Sequence, residues 1–302
     1  MPILSVMKNK YIIIAVIAAL TLAIFIPLIV FFIRSPILIV TEQSFILLYG
    51  QERLRREINR SSLALFRPVK VVAAANDAGA DIVQFAVAEV SSKPFCVFFP
   101  RRFSYSAELY RGQNPGIRTA ILEGRYPASF SSDVSGSYNY SSDVESDFFR
   151  AGYAAAVMSE NRSGSIAVFM DSALYSYYGA AAREAFERGM NERETSQNAQ
   201  PLFYTSFSDR SVSSELSAVV IAGAGWEYLD SKTGVPVILF SWLDPDNMPE
   251  DVVIVIDDSP AAQLLQAAFF VKSEEEKGKI KSFFHIIRKD RYNGLLRNIN
   301  KM

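Results

Sequence analysis

Residues 145–194 read ESDFFRAGYAAAVMSENRSGSIAVFMDSALYSYYGAAAREAFERGMNERE, and the succession of periodicities within them decides the fold class. Phe148, Phe149, Gly152, Tyr153, Ala156 and Val157 recur at helical spacing, so the first segment is a helix with one packing face. NRSG at 161–164 has the residues of a loop, and SIAVFM at 165–170 is an apolar run of strand length. A second helix follows, with Tyr178, Ala182, Ala185, Phe186 and Gly189 on one side and Arg183, Glu184, Glu187 and Arg188 on the other. Its small residues at 179–182 predict close seating against a sheet. Helix, strand and helix with short joins is the unit of a parallel sheet, because parallel neighbours need a crossover long enough to hold a helix.

The same alternation extends both ways. Upstream, strand-like runs at 36–40, 69–75, 95–99 and 117–122 alternate with a loop at 41–45 and helical patterns at 47–58, 81–90 and 105–111. Downstream come strands at 202–207, 218–222, 235–240 and 252–256, a short helix at 226–231 and a longer one at 260–271. Residues 126–143, dense in Ser, Tyr, Asp and Gly, separate the two runs as a link. A chain of 302 residues has core material for two domains. The expected class is therefore α/β, with two Rossmann-like lobes built on parallel sheets.

Ahead of the lobes, residues 11–33 contain no charged side chain, and as a helix they would span ~34 Å, enough for a bilayer core. Lys8 and Lys10 precede the run, which orients it with the N-terminus in the cytoplasm and the bulk of the chain outside the inner membrane, in the periplasm or its equivalent. A cleaved signal peptide is the rival reading. The run is long for one, and PLIVFFIRSP offers no small-x-small cleavage site, which favours a retained single-pass anchor. The formal net charge of −1 gives no bulk electrostatic reason to expect a nucleic-acid partner. Cys96 is the only cysteine, so no intramolecular disulfide forms, and its place in PFCVFF suits a buried core residue.

Parallel sheets bind ligands outside the carboxyl ends of their strands, near switches in strand order. The loops at issue are 41–45, 101–103 and 123–126 in the first lobe, and 171–175, 223–226 and 241–246 in the second. They carry the rings of Phe45, Phe103, Tyr126, Tyr175, Trp226 and Trp242, and the carboxylates of Glu42, Asp171, Asp244 and Asp246. Rings supply stacking area and carboxylates accept from OH or NH donors, a combination suited to a flat or hydroxylated small molecule. Each residue also has an ordinary alternative, as a ring closing the core or an acid capping the next helix. The candidate ligand-binding set is Ser44, Phe45, Phe103, Asp171, Tyr175, Gly223, Gly225, Trp226, Trp242 and Asp244.

Support for catalysis is slight. The single histidine, His285, lies in the basic, apolar-interleaved segment SFFHIIRK, which reads as a surface helix with one packed face. There is no Cys/His metal spacing and no P-loop. Gly223 and Gly225 follow a strand with Asp244 about twenty residues on, but Tyr228 occupies the third glycine position of a dinucleotide fingerprint. No enzyme activity and no cofactor are expected.

Residues 145–266 resemble the middle of the basic membrane lipoproteins, type I periplasmic binding proteins whose best understood members bind purine nucleosides for an ABC transporter. The resemblance rests on Ala151 to Ala155 in the first helix, Gly164 to Phe169 in the strand and Phe186 to Met190 closing the second helix. YTSFSD at 204–209, VVIAGAG at 219–225 and the acids Asp244 and Asp246 continue it, and TEQSFILLYG at the front is similar to the family's Ser-Phe-Asn loop at Ser44 and Phe45. The resemblance implies hinged lobes with three crossings, near 140–143, near 241–249 and after the helix at 260–271. It implies a ligand between the lobes, with Phe45 or Trp226 stacking on it and Asp244 accepting from a sugar hydroxyl. The implied division is an anchor at 1–34, a first lobe at 35–143 completed by about 250–285, a second lobe at 144–249 and a basic tail at 286–302. Departures are Val40-Thr41-Glu42 where the first strand should end in acids, Ile46 for Asn, Asp257-Asp258-Ser259 for the usual Ser and Lys, and no lipid-bearing cysteine. The implied role is a membrane-anchored binding protein for a small polar, nucleoside-like ligand, feeding an ABC transporter permease. The alternative is a ligandless or sensing relative that binds another envelope protein.

Overall fold

The computed structural model describes residues 2–125, 138–160, 162–192, 200–206, 215–231, 233–287, 292 and 299–302, with side chains from 16 onward apart from 24 and 231. Tyr126, most of the link at 126–143, the end of the strand expected at 202–207 and most of the basic tail lie outside the described residues.

Helix α1 (Pro2–Ile33) leads into a first run of elements: β1 (Ile37–Glu42), α2 (Gln43–Tyr49), α3 (Gln51–Leu65), β2 (Val69–Ala74), α4 (Ala80–Val90), β3 (Cys96–Pro100), α5 (Ser104–Gln113), β4 (Arg118–Gly124) and β5 (Tyr138–Ser142). The second run comprises α6 (Val144–Ser159), β6 (Ser165–Met170), α7 (Ser172–Asn191), β7 (Pro201–Tyr204), β8 (Leu216–Ala222), β9 (Val237–Phe240) and β10 (Val252–Asp257). Helix α8 (Pro260–Lys272) and strands β11 (Lys277–Ile280) and β12 (Phe283–Ile286) complete it. Two six-stranded sheets result, ordered β11-β5-β4-β3-β1-β2 and β12-β10-β9-β8-β6-β7. Among the described residues every pairing between these strands is parallel except β12 with β10. Interior strands such as β8 and β10 are buried on both faces, which is why they read as continuous apolar runs rather than alternating ones.

Among the described residues the chain crosses between the sheets three times, at 142–144, 257–260 and 280–283. This corrects the second expected crossing, 241–249. Strand β10, expected to help complete the first lobe, pairs with β9 in the second sheet, so only α8 and β11 return to the first. His285 and its neighbours form a strand, not the expected surface helix. β12 pairs antiparallel with β10, setting Phe284 opposite Ile256 and His285 opposite Val255. Phe284 is buried and Phe283 exposed, a two-residue alternation that four residues among basic neighbours are too few to announce.

At the front, 41–45 is not a loop. β1 runs to Glu42, α2 starts at once, and the chain turns at Gly50, whose φ of +89° few other residues adopt. The small residues of α7 also act differently from expectation. Gly189 of α7 and Gly152 of α6 let the two helices meet backbone to backbone, whereas the nearest atoms to a Cβ at Gly179 belong to the Tyr175 ring. In α1, the window Val16–Ile33 is long and apolar enough to cross a membrane, and none of it is buried.

Candidate functional site

The carboxyl ends of both sheets face a common cleft of about 530 Å³. In each sheet the strand order reverses there: β2 and β3 flank β1, and β7 and β8 flank β6. The ends of β1, β3 and β4 bring Glu42, Arg101, Arg102, Glu123 and Arg125 to it, and the segments after β8 and β9 bring Gly223, Trp226 and Trp242. Asp258 and Ser259, in the second crossing, close one side.

Three arginine–carboxylate pairs gather here. Arg102 Nη1 lies 2.9 Å from Glu42 Oε2, which also accepts from Ser44 Oγ at 3.2 Å. Arg125 Nη2 lies 2.9 Å from Asp258 Oδ1, both side chains about nine-tenths buried, and its guanidinium carbon sits 4.7 Å from the centre of the Phe240 ring. Arg101 Nε and Glu123 Oε2 are 3.9 Å apart. Burial raises the Asp258 carboxyl above the usual range while the Arg125 charge pulls it down. Rings line the remainder. Phe45 stacks on Tyr49 at 5.0 Å and tilts against Trp242 at 5.3 Å, and Trp226 is 37% exposed. Such a cleft presents both donors and acceptors to a polar molecule and aromatic area to a flat one.

Of the ten expected ligand-binding residues, Ser44, Phe45, Gly223, Trp226 and Trp242 line the cleft. The other five are placed elsewhere by ordinary structural demands. Phe103 is buried in the core under α4 and α5. Asp171 Oδ1 caps α7 by accepting from Leu174 N at 2.8 Å, and its other oxygen packs against Gly223, where a Cβ would come within 2.3 Å of it. Tyr175 lies on α7 over Gly179, and Gly225, at φ +85°, lies against the Phe169 ring. Asp244 caps a short turn by accepting from Asp246 N at 3.2 Å. Asp171→Ala is accordingly expected to cost about 1 kcal/mol in chemical denaturation, the worth of an N-cap. A loss several times larger would mean that Asp171 does more than cap.

Arg101, Arg102, Glu123, Arg125 and Asp258 also line the cleft and were not in the expected ligand-binding set. Arg101 and Arg102 lie in the strand-end segment 101–103, Glu123 and Arg125 in 123–126, and Asp258 directly after β10, so their places were legible, whereas their pairing as ions depends on contacts between segments remote in sequence.

Beside the cleft, the second crossing is tied down by a buried network. Asp257 Oδ2 accepts from Arg53 Nη2 at 2.6 Å and Tyr49 OH at 3.1 Å, with His285 Nε2 at 3.5 Å. Arg53 also donates to the Trp242 and Leu243 carbonyls and lies 4.1 Å over the Tyr49 ring. Tyr49 and Arg53 belong to the first lobe and Asp257 and His285 to the second, so the network spans the hinge. At the other crossings, Asp147 accepts from Arg150 Nη2 at 2.5 Å, from Ser282 N at 3.1 Å and from Ser282 Oγ, while Gln263 Nε2 donates to Ser142 Oγ at 2.7 Å. The departure Asp257-Asp258-Ser259 thus divides its labour among hinge, cleft and the N-cap of α8.

No protein-family model matches the chain, and a search of curated proteins found no match. Among solved structures, a transcriptional activator of the comK gene from Bacillus halodurans aligns over 88% of this chain and 98% of its own at 12% identity and a TM-score of 0.51. A LacI transcriptional regulator from a Rhodococcus species aligns over 84% and 96% at 14% identity and 0.51. A periplasmic solute-binding protein of an ABC transporter from Actinobacillus succinogenes, with bound D-allose, aligns over 85% and 99% at 11% identity and 0.48. At such identities the likeness is one of fold. The two parallel-sheet lobes with three crossings are the type I periplasmic binding protein fold.

Proposed function

We propose that the chain is a membrane-anchored extracytoplasmic binding protein that takes a small polar ligand between its lobes and passes it to a transporter permease. The observation that carries this reading is the cleft itself, at the switch points of both sheets, lined by a partly exposed Trp226 and by three arginine–carboxylate pairs. The apolar run of α1, which follows Lys8 and Lys10 within the same helix, supports the anchor. Paired charges and a ring suit nucleosides or sugars, whose hydroxyls and flat faces use both.

Thermal-shift and calorimetric screens of residues 34–302 against nucleosides and sugars test this. A bound ligand should change Trp226 fluorescence, and Trp226→Ala should weaken it roughly five- to tenfold, the worth of an aromatic contact. A screen in which neither class binds sinks the reading. A second reading has its own support. The rings of Phe45, Tyr49 and Trp242 already satisfy one another and the cleft arginines already hold carboxylates, as in a sensing relative whose lobes serve a protein partner. An empty ligand screen together with co-purification of an envelope protein would favour it.

A further inference from the structure

Opposite the cleft, at the amino ends of the first sheet, a cavity of about 830 Å³ opens beside the last turns of α1. Topology places its walls. Arg34 and Ser35 precede β1, Arg67 precedes β2, Phe95 precedes β3 and Arg118 begins β4, so four parallel strands bring their starting segments to one rim. Val30 and Ile33 of α1 complete it with an apolar wall.

The rim is cationic. The guanidinium carbons of Arg67 and Arg118 lie 4.1 and 5.0 Å from the centre of the same Phe95 ring, and Arg34 lies 5.1 Å from that of Phe66. Arg67 donates to the Ser35 carbonyl at 2.6 Å and Arg34 to the Phe66 carbonyl at 3.1 Å. Among the described residues one carboxylate is in ion-pair contact with the three, the exposed Glu274, 3.0 Å from Arg118. The crowding shows in Arg67, whose pKa is lowered first by burial and then by the charges of Arg34 and Arg118.

We propose that this rim holds the phosphate of an anionic phospholipid headgroup at the membrane surface that α1 enters. The proposal rests on α1 being the anchor. Two observations, the depth of Arg34 and the apolar wall, commit it to lipid, and arginine chemistry suits its phosphate. Arg34 is the first charged residue after the apolar run, so the pocket sits at headgroup depth when α1 spans. Arginines pair with phosphate through parallel N–H donors, and aromatic backing holds their planes in place. Val30 and Ile33 offer apolar surface on the side from which acyl chains would come. A lipid held here would also aim the first lobe, because the cleft opens at the far ends of the same strands.

The test uses the full chain in nanodiscs of phosphatidylcholine alone or mixed with phosphatidylglycerol. Flotation scores insertion, and native mass spectrometry scores phosphatidylglycerol retained on the extracted protein. Phosphatidylglycerol should be enriched, and Arg67→Gln and Arg118→Gln should each lower its retention roughly fivefold, the worth of one juxtamembrane cation, with flotation unchanged. Glu274→Gln should raise retention by releasing Arg118, a gain that misfolding would not produce. Unchanged retention in the arginine variants overturns the site while leaving the anchor standing. Glycerol phosphate bound in detergent with the same arginine dependence, without lipid enrichment, would assign the rim to soluble phosphate and overturn the lipid. Failure to float overturns the anchor and the site together.

Discussion

Replacing Asp257 with alanine is expected to destabilise the protein by about 3–5 kcal/mol, because it leaves Arg53 buried without its carboxylate. Arg53 and Asp257 are almost wholly removed from solvent, and the Trp242 and Leu243 carbonyls that Arg53 also reaches carry no compensating charge. Replacing both members together, Arg53→Met with Asp257→Leu, should cost far less, since two desolvated charges vanish at once. That difference between single and double variants, read from urea titration, separates a buried ion pair from ordinary packing. A single variant within 1 kcal/mol of the wild type would refute it.

The same carboxylate sets a pH dependence. Burial alone would raise its pKa, but the nearby His285 ring and the charge of Arg53 outweigh burial and hold it below the usual range. A folded value below the unfolded one means that the unfolded chain takes the proton first as pH falls. The stabilisation is therefore complete above about pH 4 and lost on further acidification. Asp147, raised to about 6 by burial against the pull of Arg150, has the opposite sign: between about pH 4 and 6 it favours the folded state as pH falls. Comparing wild type with Asp257→Ala isolates the Asp257 contribution, and the variant should show the shallower loss below about pH 4.

Gly189→Ala is the second large expected effect. The added Cβ would lie 1.8 Å from the Phe149 carbonyl oxygen and 3.0 Å from Tyr153 N, and the reciprocal Gly152 Cβ would lie 2.1 Å from the Phe186 oxygen. These neighbours are helix backbone and cannot swing aside, so α6 and α7 must separate along their shared face. The cost should reach or exceed the ~1–3 kcal/mol typical of an overpacked core. Gly112→Ala in α5 is the control. A Cβ there meets nothing within 4 Å, and its helix propensity should give a gain of up to ~1 kcal/mol. Equal effects at the two positions would show that propensity, not the close approach, governs both.

Gly152 and Gly189 also mark how far the sequence could be read. Both stood out as members of helix faces, and the faces are real, but the residues they meet belong to each other's helices rather than to the sheet. Periodicity states which side of a helix is buried and not which element covers it. The same boundary runs through the cleft. The strand-end rule located its loops, because a parallel sheet always exposes its carboxyl ends together. Within those loops, the choice between a cap and a ligand contact at Asp171 or Asp244 depends on where the next backbone N–H points, which no spacing reveals.

By itself, then, the sequence determined the α/β class, the two parallel runs and the apolar N-terminal helix, since each follows from local repetition of apolar residues and chain length. Tertiary structure alone decided that β10 stays in the second sheet and that His285 lies on a strand. It alone brought Arg53 to Asp257 across 204 residues of sequence, and gathered Arg34, Arg67 and Arg118 at one rim. Those outcomes depend on pairing between segments remote in sequence. Burial energy selects such pairings over the whole molecule at once, so no local pattern encodes them.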